Sequence, residues 1–256
     1  MAMTEYYIGT SGWHYEHWRG LFYPEKLPKV GWLEFYARYF NTVEINNSFY
    51  HLPSEKAFNQ WRDSAQACFN YSVKVNRFIT HIKRLRNAET PLENFLSRAR
   101  LLENKLGVLL YQLPPQMERN DETLASFLNL LPSEFCHAFE FRHESWIDES
   151  VFALLKSYGA GFCVFDTPWF TSPLVATSNF AYIRFHGNKE LYWSCYSEEE
   201  LSHWAQGIAE LGKNLKAVYI YFNNDAEAYA ITNAQRLRRG YARIRNRLAP
   251  YLNPLK

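Results

Sequence analysis

Thr42-Val43-Glu44-Ile45-Asn46 and Phe139-Glu140-Phe141-Arg142 are the two stretches that decide the fold. Side chains alternate faces along a strand, so Val43, Ile45, Phe139 and Phe141 share one face, and Glu44, Asn46, Glu140 and Arg142 share the other. The same reading sets Lys74 against Val73 and Val75, Gln112 against Tyr111 and Leu113, and Asp166 against Cys163 and Phe165. Further on, Arg184 and His186 oppose Ile183 and Phe185, and Tyr221 and Asn223 oppose Ile220 and Phe222. On a one-sided surface sheet this would be ordinary polar-out patterning. Here helical patterns separate the strands, and helices cover the outer face of a parallel sheet, so the polar face is expected to point into the middle.

Working outward, strand-like runs fall at 6–12, 42–46, 71–75, 106–112, 137–142, 161–166, 180–186 and 217–223. Trp32, Phe35, Tyr36 and Tyr39 recur at helical spacing after the first strand, as do Leu92, Phe95, Ala99 and Leu102 before the fourth. Ser197 and Glu200 form a capping box that starts a helix, and Asp148 and Asp225 are expected to cap two others. The segment from Thr167 to Asn179, with Pro168 and Pro173, reads as irregular. This pattern predicts a single-domain (β/α)₈ TIM barrel over residues 1–256, with an open doubly wound sheet as the alternative. In either fold the functional groups collect at the carboxyl ends of the strands. Segments 13–30, 76–91 and 187–196 would overhang that mouth, the first carrying an aromatic lid or stacking surface.

Composition narrows the function. With 256 residues, 47% hydrophobic and 18% aromatic content, the chain can build one large core. A net charge of +2 brings no global attraction to nucleic acid or to anionic membrane. The four cysteines have no paired spacing, and neither a signal peptide nor a run of about 20 apolar residues is evident, so a cytoplasmic protein without a membrane partner is expected. Oligomeric state is left open.

Seven segments then resemble the YecE-like family (domain of unknown function seventy-two) in order along the chain. They are Tyr7-Ile8-Gly9-Thr10-Ser11-Gly12-Trp13, Thr42 to Tyr50, Ile79-Thr80-His81, Gln112-Leu113-Pro114-Pro115, Phe141-Arg142-His143-Glu144-Ser145-Trp146, Arg184-Phe185-His186-Gly187 and Phe222-Asn223-Asn224. The resemblance implies a TIM-barrel fold and supplies no reaction. Analogy at the level of fold extends to the sugar-isomerase and endonuclease IV barrels. Those barrels gather metal-binding carboxylates and histidines, whereas here Lys74, Arg142 and Arg184 are interleaved with the acids.

Glu44, Glu140, Asp166 and His186 are the candidate catalytic residues, because carboxylates and imidazole can move protons. Trp13, Asn46, Tyr50, Lys74, Gln112, Arg142, His143, Trp146, Arg184, Gly187, Asn223 and Asn224 are the candidate ligand-binding residues, and arginine's planar fork suits phosphate or carboxylate. Gly187-Asn188-Lys189 and a helix opening near Ala226 stand where barrels often hold phosphate. The leading expectation is acid/base chemistry, of isomerase or hydrolase type, on an anionic, sugar-like or nucleotide-like small molecule. The competing structural account is a self-neutralised ionic lattice. A non-catalytic ligand sensor is a further alternative. So is a nucleic-acid-binding or repair protein, drawing on the tail Arg236, Arg239, Arg243 and Arg247 and on Arg77, Lys83, Arg84 and Arg86. No cofactor is expected; a divalent metal has ligands available but is disfavoured by the neighbouring cations.

Overall fold

The structure, a computed structural model, describes residues 4–252, with side chains described through Tyr241. Eight parallel strands follow one another around a barrel: β1 (Glu5–Thr10), β2 (Thr42–Ile45), β3 (Asn70–Lys74), β4 (Leu106–Gln112), β5 (Cys136–Glu140), β6 (Gly161–Thr167), β8 (Phe180–Phe185) and β9 (Ala217–Phe222). A two-residue strand, β7 (Phe170–Thr171), pairs antiparallel with β6 inside the segment read as irregular. Hydrogen-bonded order runs β1-β9-β8-β6-β5-β4-β3-β2. Residues Ser11 and Glu44 then bring β2 back to β1 through a parallel bridge, with the Gly12 amide donating to the Glu44 carbonyl at 2.8 Å. The barrel is therefore nearly closed, and its last contact is made at the carboxyl ends.

That seam explains two residues. A Cβ on Gly9 would lie 2.3 Å from the Thr42 carbonyl oxygen, so only glycine allows the edges to approach. The Tyr36 hydroxyl fills the gap in the ladder: it accepts from the Thr10 amide at 2.9 Å and donates to the Thr42 carbonyl at 3.1 Å. Backbone groups that a missing rung would leave unpaired are thereby satisfied.

Helices α1 (Trp32–Ala37), α2 (Asn47–Tyr50), α3 (Glu55–Ser64), α4 (Glu89–Ala99), α5 (Asp121–Leu128), α6 (Glu149–Ser157), α7 (Glu198–Gly212) and α8 (Tyr229–Leu252) lie between and after the strands. The main core joins their apolar faces to Val43, Ile45, Val73, Leu109, Phe139, Phe141, Ile183, Phe185, Ile220 and Phe222. A smaller interior cluster holds Val108, Leu110, Ala138, Cys163, Tyr182 and Tyr221. The two clusters confirm that the polar positions of β2, β3, β4, β5, β8 and β9 face inward. β6 behaves differently. Phe162 and Val164 belong to the outer core and Cys163 to the inner one, so Asp166 faces outward.

Caps largely follow the sequence. Ser197 and Glu200 form the reciprocal capping box of α7, and Asp148 caps α6 by accepting from the Ser150 amide. Asp225 does not cap with its side chain. A short 3₁₀ turn, Ala226–Ala228, intervenes before α8 begins at Tyr229.

Candidate functional site: a charged cup at the barrel mouth

The inward residues at the carboxyl ends of β2, β5 and β8 meet in one buried ionic chain. Arg184, 1% exposed, donates through Nη1 to Glu140 Oε2 at 2.6 Å and through Nη2 to Glu44 Oε1 at 2.8 Å. Glu44 also accepts from the Ser11 hydroxyl at 2.7 Å and from the Tyr182 hydroxyl at 2.5 Å. Glu140 is completed by Gln112 Nε2 at 3.0 Å and by a close ion pair to Arg142 Nη2. Four charges of alternating sign are thus held in one chain, three of them buried, which is tolerable only because each carboxylate is saturated. Burial alone would raise the Glu140 carboxyl, but Arg142 and Arg184 outweigh it and hold it well below the carboxylate range. Glu140 is therefore an anion at neutral pH.

His186 is fully buried beside this chain. Its Nε2 lies 2.8 Å from Arg142 Nη2 and 3.5 Å from Glu140 Oε1, and its Nδ1 lies 3.0 Å from the Asn223 amide. A guanidinium only donates, so Nε2 is the acceptor, the ring proton belongs on Nδ1, and hydrogen-bond logic turns the Asn223 oxygen toward it. Burial, then Arg142 and Arg184, push the imidazole down to about 3. It stays neutral across physiological pH, which weakens the proton-moving role expected of it from sequence.

Lys74 is the exception in the cup. Among the described residues its Nζ makes no hydrogen bond or ion pair, and it stands 4.0 Å from the centroid of the Phe49 ring. Burial, then Arg184, push the amine down to about 7, against the opposing pull of Glu140 and Glu44. Asn46 continues β2 beside it and has a buried, unpartnered Oδ1; Arg142 likewise has an unpartnered Nε. Buried polar atoms are rarely left unsatisfied, so these open valences are where a polar guest would be held.

Several sequence-predicted residues lie elsewhere. Asp166 points between the strands and helices, where it accepts from the Tyr196 hydroxyl at 2.6 Å and from Thr171; it lines an outer pocket of about 450 Å³ with Leu174, His203 and Trp204. Trp13 packs edge-on against Trp61 of α3, and Trp146 stacks on Phe141 while donating to the Met117 carbonyl. His143 accepts from the Ser145 amide in a local turn. Asn224 donates to Ser194 and Asn233, tying the loop after β8 to α8. Tyr50 is 62% exposed on the rim. The expected aromatic lid is a packed cluster instead, with Trp18 and Tyr23 buried and Tyr23 stacked on Trp32 at 4.6 Å.

The expected phosphate site is also filled from within. The Gly187 amide donates to the Tyr196 hydroxyl, the Lys189 amide to Ser194, and Asn188 to Glu200. Gly187 itself has φ +99, and a Cβ there would meet the Glu190 carbonyl at 2.5 Å. Sequence reading missed Ser11, Tyr182 and Phe49, although Tyr182 shares its face with Arg184 and could have been found by parity. Among the described residues there is no cluster of three His, Cys, Asp or Glu side chains placed to hold a metal ion, and no helix long and apolar enough to cross a membrane.

Fold and cup together define a (β/α)₈-barrel protein with a polar interior opening at the carboxyl ends of its strands. A family model described as a protein of unknown function, DUF72, matches residues 7–253, and the chain belongs to that family. It is similar to the UPF0759 protein YunF of Bacillus subtilis, with 25% identity over 90% of this chain and 93% of that protein. To the UPF0759 protein YecE of Escherichia coli it is 33% identical, over 54% of this chain and 48% of that protein. Among solved structures, a DUF72 family protein from Thermotoga maritima superposes with a TM-score of 0.85 at 32% identity, covering 92% of this chain and 98% of that one. One from Enterococcus faecalis superposes with a TM-score of 0.81 at 19% identity, over 93% and 95%.

Proposed function

We propose that this protein is a cytoplasmic enzyme that binds a small anionic polar molecule in the barrel mouth and carries out proton-transfer chemistry on it. The observation that supports this is the unpaired amine of Lys74 in a cup whose other charges are already matched. A purely structural lattice needs Glu44, Arg184, Glu140 and Arg142, and it gains nothing from a fifth, uncompensated cation. Roles shift accordingly. Arg184, 1% exposed and with both Nη atoms taken by carboxylates, is a positioning residue, while the more exposed Arg142 and Lys74 are the groups available to an anion. The group titrating near operating pH is Lys74, which suits it to general acid/base work better than Glu140 or His186. The reading needs no metal, because the carboxylates a dication would use are committed to arginines. Four free thiols support a reducing compartment.

The test is a thermal-shift panel of sugar phosphates, sugar acids, nucleotides and an abasic-site duplex at low and moderate salt. A ligand that binds only the folded state raises the melting point by mass action. A salt-tolerant shift with one small-anion class, lost in Arg142→Ala, is expected; no shift with any small anion refutes the proposal.

A second reading has its own observation. Tyr50, Phe78, Ile82, Trp169, Tyr192 and Trp193 are exposed on segments after β2, β3, β6 and β8, hence around one mouth, with Arg77, Arg84 and Lys189 between them. Aromatic platforms among cations suit single-stranded nucleic acid. The arginine tail does not extend that surface. Arg238 contacts the Tyr39 carbonyl and the Tyr241 ring lies tilted against Tyr6, both at the opposite end of the barrel, and Arg236 pairs with Glu198. The side chains of Arg243 and Arg247 lie outside the described residues. This reading requires a duplex or single-strand shift erased by salt.

A further inference from the structure

We propose that Lys74 is a nucleophile that forms an imine with a small aldehyde or ketone carrying a phosphate or carboxylate, an inference that rests on the anion-binding reading of the cup. Three geometric facts carry it. First, Nζ has no anionic partner although two carboxylates lie close enough to act on it: Glu44 is taken by Ser11, Tyr182 and Arg184, and Glu140 by Gln112, Arg142 and Arg184. Second, the amine is backed by the Phe49 ring, so its approach from that side is apolar and dry. Third, it stands at the carboxyl end of β3, next to Asn46 just past β2 and on the inward face it shares with Gln112 at the end of β4, where a bound molecule would meet it.

A lysine acts as a nucleophile only when deprotonated, and desolvation beside other cations is a general route to that state. Every charged neighbour bears on it. Arg184 and Arg142 favour the neutral amine, and Glu140 and Glu44 oppose it. His81, stacked edge-on against Phe49 at 5.0 Å, is itself pushed down to about 4 by burial and by Lys74 and Arg77, so it adds no charge near neutrality. The balance leaves a substantial neutral fraction at pH 7.

The chemistry closes without a further reagent. The Nζ lone pair attacks the carbonyl carbon and forms a C–N bond, while the C=O π pair moves to oxygen. A proton passes from nitrogen to that oxygen to give the carbinolamine. Nitrogen then expels the hydroxyl, which leaves as water after taking a second proton from solvent, and the product is a protonated imine. The cation so formed sits where Glu140 can balance it, and Arg142 Nε is open to the substrate's phosphate or carboxylate. An iminium withdraws electrons from the adjacent carbon, so a C–H proton there becomes removable. That links the covalent step to the proton transfer proposed above.

The experiment is reductive trapping at pH 7 on the full chain. Pyruvate, glyoxylate, dihydroxyacetone phosphate and uncharged dihydroxyacetone are each incubated with sodium cyanoborohydride, and adducts are mapped by peptide mass spectrometry. The hydride of the reagent reduces the imine, so the adduct carries the carbonyl compound less water plus two hydrogens. Lys74 is expected to label at least about 100-fold faster than Lys83 on the segment that follows β3, because an ordinary lysine is almost entirely protonated at this pH. The pyruvate and phosphate arms identify which anion is preferred, and dihydroxyacetone should react more slowly than its phosphate. Mapping needs no variant, and Lys74→Met, checked for a native circular dichroism spectrum, should lose only that adduct. Labelling at Lys74 no faster than at Lys83 overturns the imine. Melting shifts with the same anions then separate the two ideas. A shift abolished by Arg142→Ala keeps the anion site without covalency, and no shift removes both.

Discussion

Replacing Arg184 by methionine tests the ionic chain most severely, because the side chain is fully buried and methionine keeps an unbranched apolar stem while removing the guanidinium. Three hydrogen bonds disappear: Nη1 to Glu140 at 2.6 Å, Nη2 to Glu44 at 2.8 Å, and the weaker 3.4 Å contact to Ser11. What decides the magnitude is the residue left behind. Glu140 retains Arg142 and Gln112, but Glu44 retains only neutral donors, Ser11 and Tyr182. Removing one partner of a buried pair costs about 3–5 kcal/mol, since a carboxylate remains in a medium that cannot solvate it. For a chain of this size that corresponds to a fall in melting temperature of about 6–20 °C. Urea unfolding followed by circular dichroism at pH 7 gives the number directly. Combining the change with Glu44→Gln should recover a large part of the loss, because the stranded charge is then gone. A loss below about 1 kcal/mol, or a double variant no better than the single, would show that the chain is not what holds this end of the barrel.

Other outcomes follow from the same geometry. The Glu140 carboxyl is depressed in the folded state, so its contribution to stability is complete above its unfolded value near 4.5 and is lost as pH falls through the lower folded value; Glu140→Gln should flatten the acid limb of a stability–pH profile, and an unchanged limb would contradict the assignment. Lys74 shifts the other way: its folded value lies below the unfolded 10.5, so the unfolded chain binds more protons between about pH 7 and 10.5 and stability should rise across that window. Lys74→Met should remove that rise and melt higher than the parent protein at pH 7; a lower melting point would mean that the amine has a partner. Gly187→Ala meets both a left-handed backbone and the Glu190 carbonyl, and should cost about 2 kcal/mol or more while loosening the loop over His186, measurable as faster amide exchange in 187–196. Asp166→Asn should loosen the same loop through Tyr196 yet leave small-anion binding within about threefold, because Asp166 lies outside the cup.

How much of this was legible in the sequence depends on how each strand is patterned. β2 alternates over its length, and β5 and β8 alternate at the carboxyl ends (Phe139-Glu140-Phe141-Arg142 and Ile183-Arg184-Phe185-His186), so the inward placement of Glu44, Glu140 and Arg184 could be read from periodicity, and the barrel followed from helices lying between such strands. β6 could not be read that way. Gly161-Phe162-Cys163-Val164-Phe165 is apolar on both faces, and the lone acid at its end gave no evidence of direction. Trp13 and Trp146 failed for another reason: an aromatic residue just past a strand end can turn into the mouth or back between strand and helix, and packing partners distant in sequence decide which. Periodicity also places charges without pairing them. That Arg184 is held between two carboxylates while Lys74 is left free depends on Ser11, Tyr182 and Gln112 reaching Glu44 and Glu140 from three other strands or strand ends, which only the closed barrel brings together.

The central claim is that one amine stands uncompensated in an otherwise self-matched cup, and it is tested most directly by titrating Lys74. Protein labelled with carbon-13 at the lysine ε position would be followed by heteronuclear NMR from pH 5 to 11, the Lys74 resonance being assigned by its absence in Lys74→Met. A midpoint near 7 is expected, moving upward when phosphate or a sugar phosphate binds. A midpoint at the ordinary lysine value near 10.5, indifferent to added anion, would contradict both the free amine and the function built on it.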